Sequence, residues 1–275
     1  MMAMIHTSRG LTPPKGPIGS PGMTGNAMNV MASSRSPDRS SGQVIFSTRP
    51  CSSSRIASRP VDIELMKAKL ADKGNWFRRI AGNNHRKLEW RTALDFPARF
   101  VTREARSADL VVIGRVKASG GGHKALDPGE AILKMGRPTL VVLEGVSSLR
   151  GEHIVIGWKD TREARRAVRD ALPFLQRVTR VTIAEACGSD EERAPLGRLD
   201  DVARYLRHHR IKAGSCVMLE RKGSGAAQLL RVAQEERADL LVTGAYGHSR
   251  LGEWIFGGMT RELLDTSPIA CLMSH

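Results

Sequence analysis

Four glycines near the C-terminus are spaced as a backbone cradle for an anion. Gly244 is followed after two residues by Gly247, and nine residues later come Gly257 and Gly258. Glycine lets the main chain approach a ligand closely and take a positive φ. The unpaired N–H groups and positive dipole end of a helix that starts just after such a loop favour a phosphate. Gly257 and Gly258 precede the pattern Met259-Thr260-Arg261-Glu262-Leu263-Leu264, which reads as that helix. Thr260 adds a hydroxyl near its start, and Arg250 places a cation within the loop. The bland alternative is that these glycines only shape a tight strand–loop–helix turn and that Arg250 is a solvated charge. His248 has no carboxylate or serine at triad spacing, so no catalytic role is assigned.

The elements around the loop alternate in type. Leu240-Leu241-Val242-Thr243 is a strand leading into it. Upstream, Ile154 to Gly157 reads as a strand. Thr161 then caps a helix with a stripe of Ala164, Ala167, Val168, Ala171, Leu172 and Leu175, at steps of three and four. Val178–Ala184 and Cys216–Leu219 are further strands, Leu199–Leu206 and Ala226–Arg237 are helices, and Ile269–Met273 closes the chain. Five strands alternating with four helices imply a parallel sheet covered on both faces. Ligands of such sheets sit beyond the carboxyl ends of the strands. Lys159, at the exit of the first of these strands, is therefore a candidate phosphate contact or a solvated charge.

Part of this pattern occurs twice. Ala-Asp-Leu recurs at 108 and 238, a strand-ending glycine at 114 and 244, and a proline before a closing strand at 138 and 268, always 130 residues apart. A constant offset over separate motifs indicates duplication. In the earlier copy, Asp62–Ile80, Phe96–Ala105 and Gly129–Met135 read as helices. Leu88–Trp90, Ala108–Gly114 and Thr139–Leu143 read as strands. Nothing near residues 23–47 resembles Ile154–Leu175, so this copy is expected to lack its opening strand–helix unit and its second strand. Gly120–Gly122 lacks the loop's spacing, and the first copy is expected to be structural.

Residues 1–60 are rich in Ser, Pro, Gly, Arg and Met, with Val44-Ile45-Phe46 as the one strand-like fragment. Such a composition buries too little apolar surface to offset ordering entropy, which predicts disorder or a misplaced start. The expected domains are thus 61–146, incomplete, and 151–275, complete. The formal charge of +15 is spread over amphipathic segments, with no basic run interleaved with aromatics, so nucleic acid is not the expected partner. No stretch approaches the roughly 18 apolar residues of a membrane span. Cys51, Cys187, Cys216 and Cys271 form no CxxC pair, which fits reduced thiols in a cytoplasmic protein.

The segment from Ala238 to His275, with Gly244, Gly247 and Gly257 in this spacing, resembles the phosphate-binding loop of universal stress proteins. The resemblance is full over 151–275 and weaker over 61–145. It implies two Rossmann-like α/β domains of parallel sheet, the first truncated. It also implies adenine nucleotide binding, ATP with Mg, in many members and none in others. Carried onto this chain, the contacts are Gly244, Gly247, Gly257, Gly258, Met259 and Thr260, with Lys159 and Arg250 nearby. Two positions depart from the binding form. Gly258 stands where a Ser or Thr is usual, and Lys159 where an Asp is usual, with Asp160 one residue later. The function implied is a stress-response protein acting by conformation or partner contact. A non-binding scaffold is the alternative, and an enzyme using ATP for adenylation a third; the chain is otherwise expected to have at most weak ATP hydrolysis. Family members commonly pair through their last strands, which implies antiparallel pairing of Thr139–Leu143 with Ile269–Met273 as an internal pseudo-dimer, or a homodimer.

Overall fold

The structure is a computed structural model. It describes residues 2–7, 42–47, 63–81, 88–115, 126–144, 146, 148–187, 193–219, 224–247 and 258–275. The C-terminal half contains five strands: β5 (His153–Trp158), β6 (Arg180–Cys187), β7 (Gly214–Leu219), β8 (Leu240–Gly244) and β9 (Ala270–Ser274). Between them run α4 (Arg162–Leu175), α5 (Arg193–His208), α6 (Gly225–Glu235) and α7 (Gly258–Thr266). All strands in this half are parallel, in the order β9-β8-β5-β6-β7. The chain order reverses direction between β5 and β8, which is the switch point where open α/β sheets bind ligands.

The first half holds α1 (Ile63–Ala81), α2 (Pro97–Glu104) with a 3-10 turn at Ala105–Ser107, β3 (Leu110–Gly114), α3 (Pro128–Met135) and β4 (Thr139–Val142). β3 and β4 are parallel. β4 then pairs antiparallel with β9, Leu140 opposite Leu272 and Val141 opposite Cys271, so both halves share one sheet.

Two pieces of the segment expected to be without regular structure, 1–60, are strands: β1 (Met2–Thr7) and β2 (Gly42–Ser47). β2 contains Val44–Phe46 and runs parallel to β3, Val44 opposite Leu110. It thus stands beside β3 as β5 stands beside β8. β1 lies antiparallel on its outer side. The constant 130-residue offset does not reach this strand: among the described residues the chain between it and β3 carries two α-helices, where the second half has three and two strands between β5 and β8.

Leu88–Trp90, expected as a strand, is irregular chain instead. Its apolar residues serve a helix. Trp90 packs on α1, 3.1 Å from where a side chain on Gly74 would begin, with its ring centroid 5.3 Å from that of Phe77. Arg91 fixes the segment by hydrogen bonds to Glu89 and Glu104.

The core follows from strand alternation. Ile154, Ile156 and Trp158 of β5 face one layer with α4 and α5, where Phe77 of α1 also joins Val112 and Leu140. Val155 faces the other layer with Ala226, Leu229, Leu263, Leu264 and Ile132. Phe100, Val101 and Ala131 extend that layer over Val111 and Ile113. Each large aliphatic residue so buried contributes roughly 1.5–3 kcal/mol. Cys187, Cys216 and Cys271 are free thiols, and burial pushes the Cys271 thiol up to about 11. Among the described residues no helix is long and apolar enough to cross a membrane.

Candidate functional site

The loop after β8 forms at the carboxyl edge of the sheet. Its first glycine is required by packing. A side chain on Gly244 would begin 2.6 Å from the Ala164 nitrogen and 2.7 Å from the Glu163 carbonyl carbon, because the first turn of α4 crosses the strand end there. Thr161 caps that helix by accepting the Ala164 N–H at 3.2 Å. The Ala245 N–H then donates to the Ser274 carbonyl at 2.8 Å, and His275 Nδ1 lies 3.0 Å from the Ala245 carbonyl, so the end of the chain braces the loop.

Tyr246 takes a left-handed φ of 54°, and its N–H donates to Thr260 Oγ1 at 3.1 Å. Thr260 is buried in the first turn of α7. Its hydroxyl oxygen holds the loop against the helix, a role different from the phosphate contact considered from the sequence. Gly247 is exposed beside Thr161 and Glu163. Gly258 opens α7, and among the described residues nothing lies within 4 Å of where its side chain would be. Met259 is 40% exposed, with its sulfur toward Gly225 at the start of α6.

Lys159 is exposed two residues beyond Gly157, whose partner on β8 is Thr243. Its carbonyl accepts the Thr161 N–H at 2.7 Å. The adjacent Asp160 pairs with Arg165. Gly244, Gly247, Gly258, Met259, Thr260 and Lys159 thus gather at the exits of neighbouring strands. Arg250 and Gly257 lie outside the described residues, as do His248 and Gly120–Gly122.

Glu163 was not singled out from the sequence. It is 2% exposed, and a side chain on Gly247 would begin 3.3 Å from its Oε2. Burial pushes its carboxyl up. A hydrogen bond from Arg162, its own backbone N–H, the Arg162 charge and the Thr161 hydroxyl together outweigh this and hold it below the ordinary carboxylate range. An acidic residue in a helix's first turn is a common sequence feature, and only the close approach to Gly247 gives it meaning here.

The site therefore offers exposed main chain at Gly247, the open start of α7, and a nearby cation in Lys159. These fit a phosphate. The Glu163 carboxylate beside Gly247 opposes it. Among the described residues no group of three or more His, Cys, Asp or Glu is placed to hold a metal ion.

The sequence model of the universal stress protein family matches residues 150–275. Residues 150–275 belong to the universal stress protein family. The fold agrees. A universal stress protein from Archaeoglobus fulgidus DSM 4304 is similar in structure with a TM-score of 0.59, at 14% identity, covering 79% of this chain and 83% of that one. UspA from Lactobacillus plantarum matches with a TM-score of 0.39 at 16% identity, over 46% of this chain and all of that one. A universal stress protein in complex with cAMP matches with a TM-score of 0.35 at 21% identity, over 45% of this chain and 97% of that one. No curated protein matches the chain. The matched residues include β5 to β9.

Proposed function

We propose that the universal stress protein domain binds an adenine nucleotide, ATP with Mg, at the switch point between β8 and β5, and that the protein acts in the cytoplasm by conformation or partner contact. The observation that carries this reading is the hydrogen bond from the Tyr246 N–H to Thr260, 3.1 Å, which sets the loop beside the open N-terminus of α7. Gly247 and Gly258 would then present main-chain N–H groups to the phosphates. Lys159 would add a cation at the edge, and Arg250 a second in the loop. The nucleotide supplies the charge that α7 receives, and no group of this chain is assigned a chemical step. The two halves, joined through β4 and β9, are read as an internal pseudo-dimer.

A second reading is favoured by Glu163. Its carboxylate already serves the first turn of α4 beside Gly247, and Gly244 is fully explained by that helix's approach. On this reading the domain is an interaction scaffold that binds no nucleotide. Calorimetry on the full chain with Mg-ATP, AMP and cyclic AMP separates the two. Heat with a dissociation constant below millimolar supports the first, and none at millimolar nucleotide supports the second. Gly258→Ser adds a hydroxyl at the start of α7 and should tighten Mg-ATP about tenfold, the worth of one hydrogen bond to a charged group.

A further inference from the structure

We propose that the first half of the chain positions the glycine loop of the second, with Asp127 and Gly129 at the start of α3 as positioning residues for the nucleotide site. The inference rests on the binding reading above for its consequence, but the contact stands by itself. Tyr246, between Gly244 and Gly247, sends its ring across the boundary between halves. A side chain on Gly129 would begin 2.1 Å from the Tyr246 hydroxyl and 3.3 Å from its Cζ. Gly129 is buried within α3, where glycine weakens a helix relative to alanine and no positive φ calls for it. The tyrosine accounts for it.

Asp127 meets the other wall of the loop. Its carboxylate caps α3 by accepting from the Gly129 N–H at 2.7 Å and the Glu130 N–H at 3.4 Å. It also accepts from Arg261 Nη1 at 3.2 Å. Arg261 follows Thr260 in α7, and Thr260 holds the Tyr246 N–H. Burial, and then the Asp127 charge, push the Tyr246 hydroxyl above its ordinary value, as expected for a ring lodged against that cap. Gly129 therefore meets Tyr246, and Asp127 two residues earlier meets the first turn of α7, the two pieces whose separation defines the phosphate cradle. The first half thereby contributes to the site as a brace. A braced loop has less to lose on ordering around a ligand, so affinity rises with the brace intact.

The test compares Gly129→Ala, the double variant Gly129→Ala with Tyr246→Phe, and Asp127→Ser in the full chain. Hydrogen exchange is followed over residues 244–247 and 258–264 without ligand, and Mg-ATP is titrated in parallel. Gly129→Ala should raise exchange at Ala245–Gly247 about tenfold and weaken Mg-ATP about tenfold. Tyr246→Phe removes the atom at 2.1 Å and leaves ring carbon at 3.3 Å, so the double variant should recover both. Asp127→Ser keeps a capping oxygen while losing the charge on Arg261, and should raise exchange in 258–264. It decides the matter where Gly129→Ala does not fold. Exchange unchanged in the single variants, or unrecovered in the double, overturns the proposal. Absence of Mg-ATP uptake by the unaltered chain would sink the binding reading alone, and the exchange arm would still decide the brace.

Discussion

At Glu163 the same side chain serves the fold and opposes the ligand. Its carboxylate completes the first turn of α4, held by Arg162 and the Thr161 hydroxyl, and stands beside Gly247 where a phosphate would approach. Glu163→Gln keeps the shape and removes the charge. It should tighten Mg-ATP about tenfold, or ~1.4 kcal/mol, by removing a like charge a few ångströms from the phosphates. The same change should cost about 1–2 kcal/mol of stability at neutral pH, since a charge-assisted hydrogen bond is lost. The folded carboxyl lies below its ordinary 4.5, so its stabilisation is present above that value and fades as pH falls through the folded one. Unfolding by urea at pH 7 and at pH 3 should show the difference between variant and parent shrinking at the lower pH. An undiminished difference would place the effect in packing. The sequence placed Gly244, Gly247, Gly258 and Thr260 at one edge because their spacing is local. It did not reveal Glu163 or Gly129, since each acquires its role from a residue at least 84 positions away in the chain.

Elements whose residues are buried by a strict period were readable directly. β5 and β8 are continuous apolar runs because helices cover both faces, and α4 carries its stripe toward that sheet. Leu88–Trp90 misled because three residues of alternation fit a strand equally well, whereas the packing partner of Trp90 is α1. The fragment Val44–Phe46 was legible as strand-like, but not as the neighbour of β3, because that pairing is tertiary and β2 shares no offset with β5. The junction of β8 with α4 separates two kinds of glycine. Gly244→Ala would drive a methyl group into the main chain of Glu163 and Ala164, and should cost about 1–3 kcal/mol through displacement of α4. Gly247→Ala meets only side-chain atoms at 3.3 Å and beyond, and should leave the thermal midpoint nearly unchanged while weakening nucleotide. Equal midpoints for the two variants would remove the packing explanation of Gly244.

The whole molecule is organised around the join between β4 and β9. Thr139, Leu140 and Val141 face Met273, Leu272 and Cys271, and the flanking contacts reinforce the pairing: Arg166 reaches the Gly136 carbonyl at 3.0 Å, and Arg115 the Ser267 carbonyl. Without the first half, β9 would present a short, apolar, unpaired edge, a template for another strand. Residues 151–275 carry a complete sheet and two helix layers of their own, so this fragment should fold. It should also self-associate by pairing β9 with β9, the copy standing in for β4. Sedimentation should give twice the fragment mass, and a single mass would remove the edge-pairing explanation. Residues 61–150 retain β3 and β4 but lose β2 on one side and β9 on the other. Small cores of this size bury a low fraction of their surface. That fragment should show poor amide dispersion by NMR, whereas a sharp, monomeric spectrum would make the halves independent and the shared sheet incidental to their folding.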